Sequence, residues 1–103
     1  MKNKLQLSRS IISYDALSDV DETFDLGDEE FLFSLKEDML QISCPSLDTL
    51  VDVGWYPEFS PRGRFRIYVI QHENWDQPLE ESTAQNLPQL FDALAAIIER
   101  HAL

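Results

Sequence analysis

Leu87, Leu90, Phe91, Leu94, Ile97 and Ile98 recur at the i, i+3, i+4, i+7 spacing of an amphipathic helix, and no other feature constrains the chain as strongly. Asn86 stands where an N-cap belongs, and Pro88 falls in the first turn, where its missing N–H does no harm. Arg100 and His101 bring positive charge to the last turn, as a helix C-terminus favours. A helix with one apolar face must cover an apolar surface, so the rest of the chain has to supply one. Its 103 residues suffice for a single domain, read as 1–103, around a single core.

Short alternating segments identify that surface as a sheet. Val51 and Val53 alternate with Asp52 and Gly54, the period of a strand with one buried face. Pro57 lacks a backbone donor and should end this strand. A Ser-Pro-Arg-Gly turn at residues 60–63 then leads into residues 64–71, the clearest strand of the chain, so the two form an antiparallel hairpin. Residues 5–14 alternate imperfectly as a first strand, and residues 31–44 read either as two short strands about Glu37 and Asp38 or as one bent strand. Residues 80–85 are too polar for a central strand and read as an edge strand or extended arm. Parallel pairing would need long crossovers, which these connections do not provide. The expected fold is therefore α+β: an antiparallel β-sheet of four to six strands with a C-terminal helix packed on one face.

Nineteen acids against eight bases give a formal charge of −11, which disfavours nucleic acid, because phosphate contacts need Lys and Arg. Basic proteins are the natural partners. Cys44 is the only cysteine, so no internal disulfide can form, and its place beside Ile42 reads as that of a small buried hydrophobe. Neither a signal-length apolar run nor the roughly 20 apolar residues of a membrane span occurs, so a cytoplasmic protein without a membrane role is expected.

Catalytic and metal-binding signatures are weak. His72 and His101 have no partner at i, i+4, and Gly27, Gly54 and Gly63 stand alone, so neither a metal motif nor a phosphate loop emerges. Asp19, Asp21, Thr23, Asp25 and Glu30 match positions 1, 3, 5, 7 and 12 of a calcium loop, but Phe24 occupies position 6, where the sharp turn requires glycine. Asp52 and Glu58 flank the aromatics and could act as an acid/base pair, yet such pairs arise by chance among 19 acids. Neither an enzyme nor a cofactor or metal is expected. Arg62, Arg64 and Arg66 alternate along one strand face, where they can neutralise acidic neighbours.

An interaction surface is the sharper expectation. Residues 15–30 contain no Lys or Arg, and Asp19, Asp21, Glu22, Asp25 and Asp28 make this acidic segment either a solvated face or a partner surface. Leu17, Val20 and Phe24 within it suggest a short helix or a packed loop. Trp55 and Tyr56 either cap the core at the end of their strand or include an aromatic anchor for a partner. Glu58, Glu73, Trp75 and Asp76 complete the set of expected contacts.

Three motifs and the closing helix together carry a resemblance. They are Asp52-Val53-Gly54-Trp55-Tyr56-Pro57-Glu58, then Gly63-Arg64-Phe65-Arg66-Ile67, then Asn74-Trp75-Asp76-Gln77-Pro78-Leu79. In this order they resemble the small bacterial immunity proteins encoded beside contact-dependent growth-inhibition and related polymorphic toxins. The resemblance spans about half the chain, from Asp52 onward. It implies a protein without enzymatic activity that binds the C-terminal domain of one cognate toxin, often a basic nuclease, and blocks it. A small non-enzymatic adaptor that dimerises through the polar edge at residues 80–85 is the alternative.

Overall fold

The computed structural model describes residues 7, 9–16, 35 and 38–103. Five strands form one antiparallel sheet: β1 Ile11–Asp15, β2 Leu40–Cys44, β3 Thr49–Tyr56, β4 Arg64–Gln71 and β5 Glu80–Ala84, lying side by side in sequence order. Among the described residues, one α-helix, α1 (Leu87–His101), follows them. The α+β architecture expected from the helix stripe and the short strands is the one observed.

Alternation assigns the two faces of the sheet. Leu40 and Ile42 of β2, Val51, Val53 and Trp55 of β3, and Phe65, Ile67 and Val69 of β4 enter one core with Leu87, Leu90, Leu94, Ile97 and Ile98 of α1. Cys44 belongs to this core, as a small buried hydrophobe would. Intervening residues point to the opposite face. There Ile11, Ser43, Leu50 and Ile70 make one cross-strand row, and Tyr14, Gln41, Asp52, Tyr68 and Glu81 make the next.

The helix is held at both ends. Asn86 has extended φ and ψ, and its Oδ1 accepts from the Gln89 N–H at 2.9 Å, while Gln89 Oε1 accepts from the Gln85 N–H at 2.9 Å. Ala102, with φ of 56°, closes the other end, and the Leu103 N–H reaches Ile98 O at 2.9 Å, placing the Leu103 side chain in the core. Arg100 donates twice to Glu80 of β5, each time at 2.7 Å, and His101 Nε2 lies 2.9 Å from the same carboxylate. The Arg100 and His101 bonds hold the Glu80 carboxyl down at about 2 against burial, which acts the other way.

Several boundaries differ from those read in the sequence. β1 begins only at Ile11, and its pairing with β2 shifts between Ile12 and Tyr14, a bulge that explains its imperfect alternation. Of the strands expected across residues 31–44, β2 starts at Leu40; Leu35 and Met39 are buried, and residues 31–34 and 36–37 lie outside the described residues. Of the polar segment at residues 80–85, Glu80–Ala84 forms β5, an edge strand, as the composition of the segment suggests.

Candidate functional site

β3 and β4 are joined at one end by the Pro-rich hairpin, while the opposite end of the pair leads into the turns that surround Asp48 and His72. The expected contacts from Trp55 onward divide between these two ends.

At the hairpin end, Trp55 is fully buried. Its ring meets Phe65 edge-on, with centroids 4.9 Å apart and planes at 82°, and its Nε1–H donates to Ser60 O at 2.8 Å. Trp55 is therefore a core residue and not a contact for a partner. The period-2 pattern that begins at Val51 puts it on the core face, and its indole N–H is satisfied by the hairpin backbone. Gly63 completes the arrangement: a Cβ there would collide with the Trp55 indole nitrogen, stand 2.8 Å from Cε2, and stand 2.9 Å from Tyr56 O. Tyr56 faces the other way and is half-buried, with the Arg66 guanidinium 5.8 Å from its ring centroid. Glu58 is exposed in the turn.

The opposite end is built from two turns tied together. Pro45–Leu47 forms a 3₁₀ turn that Asp48 closes with φ of 48°. His72 and Glu73 both have left-handed φ, 56° and 57°, and the Asn74 N–H reaches Gln71 O at 3.1 Å, the pattern of a type I′ turn. The His72 N–H donates to Asp48 O at 2.9 Å, and His72 Nδ1 lies 3.0 Å from Asp48 Oδ2. The chain then presents Trp75 and returns to the sheet through Leu79 N–H to Val69 O, 2.7 Å.

Between these turns lies a cavity of about 210 Å³. Ser43, Leu50 and Ile70, the last cross-strand row of the open face, line it, and Asp48, Glu73 and Trp75 stand around them. Trp75 remains 51% exposed. Asp76 is exposed beside it in the sequence. The structure thus places Glu73 and Trp75 on one cavity together with Asp48, Leu50 and Ile70, which the sequence analysis does not single out. Leu50 and Ile70 did carry a signal: each is an apolar residue out of phase with the core-facing residues of its strand.

Among carboxylates named for chemistry, Asp52 is buried on the open face and accepts from Gln41 Nε2 at 3.2 Å. Burial raises its pKa above the usual carboxylate value; the Gln41 bond opposes that, and the Asp38 charge adds to it. No cluster of three or more His, Cys, Asp or Glu that could hold a metal occurs among the described residues. Asp19, Asp21, Glu22, Asp25 and Asp28, and with them the calcium-loop spacing, lie outside the described residues. Among the described residues, no helix is long and apolar enough to cross a membrane. No family model, curated protein or solved structure matches the chain.

Proposed function

We propose that this protein is an immunity protein, acting in the cytoplasm, that binds the C-terminal domain of one cognate toxin and neutralises it by one-to-one association. The observation that carries the reading is Trp75, a half-exposed tryptophan in a loop whose formally charged residues, Glu73 and Asp76, are both acidic. Aromatic anchors ringed by complementary charge are a common basis of protein recognition, and a net charge of −11 attracts a basic partner from a distance. The resemblance of the motifs from Asp52 onward agrees with this reading. A basic nuclease domain is the toxin class that suits it.

The alternative, dimerisation through the β5 edge, has less support. Glu80 is engaged by Arg100 and His101, and Glu81 leaves an exposed charge on that strand.

The test is coexpression with the toxin encoded by the adjoining gene, together with light scattering of the purified pair. Survival and a complex of one copy each are expected. Charge reversal at Asp76 should slow association and weaken its dependence on salt. Cell death despite soluble expression of this protein, or the absence of a complex, would overturn the reading.

A further inference from the structure

We infer that the cavity between the Asp48 and Glu73 turns is a receptor for one arginine side chain of the partner, an inference that rests on the immunity reading and specifies its central contact. At about 210 Å³ the cavity falls below the roughly 300–1,000 Å³ of small-molecule sites, so it suits a single side chain better than a free metabolite. Its lining is amphipathic in the way an arginine is. Leu50 and Ile70 offer apolar surface to a methylene stem, Trp75 offers an aromatic face to a planar cation, and Asp48 and Glu73 offer carboxylate oxygens to its N–H groups.

Charge complementarity selects the occupant. The lining contains no Lys or Arg. Among the described residues, Arg62, Arg64 and Arg66 lie in and beside the hairpin at the other end of the sheet and Arg100 is held by Glu80, while Arg9, outside the lining, is near enough to act electrostatically on Cys44. An anionic side chain would meet Glu73 and the Asp48 carboxylate, whose Oδ2 His72 already engages, with like charge, whereas a guanidinium can pair with Glu73 and with the other Asp48 oxygen and stack on the indole. The cavity is also preorganised. The paired bonds between His72 and Asp48 hold its two walls together before any partner arrives, so little ordering remains for binding to impose.

Two probes test the assignment on the full chain. The first is the short peptide acetyl-Ala-Arg-Ala-amide, titrated while the indole N–H signals of Trp55 and Trp75 are followed by NMR, with the citrulline peptide as its uncharged isostere. The expected result is a saturable shift of the Trp75 signal with the arginine peptide and a shift at least about tenfold weaker with citrulline; in Trp75→Ala, which lacks that reporter, the peptide-induced shifts of the Asp48 and Glu73 backbone amides should be lost. Glu73→Gln should weaken the arginine response while leaving the fold, read from the Trp55 signal, unchanged. Equal responses to the two peptides, or a response that Glu73→Gln does not reduce, would overturn the assignment.

The second probe is the adjoining toxin itself. If the toxin binds the parent and Trp75→Ala weakens the complex by about tenfold or more, the arginine receptor is supported. If it binds both equally, the receptor is wrong and the immunity reading stands. If the toxin does not bind while the arginine peptide does, the receptor stands and the immunity reading falls.

Discussion

Trp55 and Trp75 lie near opposite ends of β4, and the chain handles them in opposite ways. Trp55 is enclosed by the hairpin, contacts Phe65 edge-on, and has its N–H satisfied by Ser60. Trp75 stands half-exposed beyond the other end, above a row of out-of-phase apolar residues and beside acids. The same side chain thus closes the core at one end and offers contact area at the other. What differs is the local backbone. A strand carries Trp55 to the core face by its regular period, whereas two left-handed residues turn the chain before Trp75 and free it from any strand period. Such non-glycine residues in the left-handed region each cost about 1–2 kcal/mol. The hairpin end holds one such residue, Phe59 with φ of 63°, and places a glycine, Gly63, where close approach demands it.

The largest expected effect separates the two tryptophans directly. Trp55→Ala empties a fully buried site and should destabilise the fold by about 3–5 kcal/mol in urea unfolding, while Trp75→Ala should stay within about 0.5 kcal/mol. Similar losses for the two would show that Trp75 is structural and would erase the contrast. Gly63→Ala comes next. Its methyl group has no room against the Trp55 ring or Tyr56 O, so a loss of about 1–3 kcal/mol is expected, with altered Trp55 fluorescence as the sign of a displaced indole.

A smaller effect concerns how the end of the sheet near Trp75 is fastened to the helix. Glu80 titrates at about 2 in the fold against an ordinary 4.5, so its ties to Arg100 and His101 stabilise fully above pH 4.5 and are lost as the pH falls through 4.5 towards 2. Glu80→Gln should therefore lower the melting temperature above pH 4.5, with parent and variant converging towards pH 2; a constant difference across that range would contradict the pairing. The smallest effect is at Glu73, where glycine fits the left-handed backbone better. Glu73→Gly should raise stability by up to about 1 kcal/mol while weakening partner binding, and a variant that gains stability without losing affinity would remove Glu73 from the interface.

Sequence alone determined the layers of this protein and left the arrangement of the Trp75 end to the tertiary structure. The stripe from Leu87 to Ile98 required a surface to cover, and the alternation at Val51 and Val53 carried the core face onward to Trp55, because strand and helix periods are local properties of the chain. The edge position of β5 was legible for the same reason, in its polarity. The two roles open to Trp55 could not be separated by composition, since an aromatic at a strand end serves either, and only the contacts with Phe65, Ser60 and Gly63 decided between them. Nor could spacing show that Asp48, Leu50, Ile70, Glu73 and Trp75 share one cavity. They come from two turns and two strands, brought together by the register of β3 with β4 and by the bonds between His72 and Asp48, which depend on backbone angles that non-glycine residues seldom adopt.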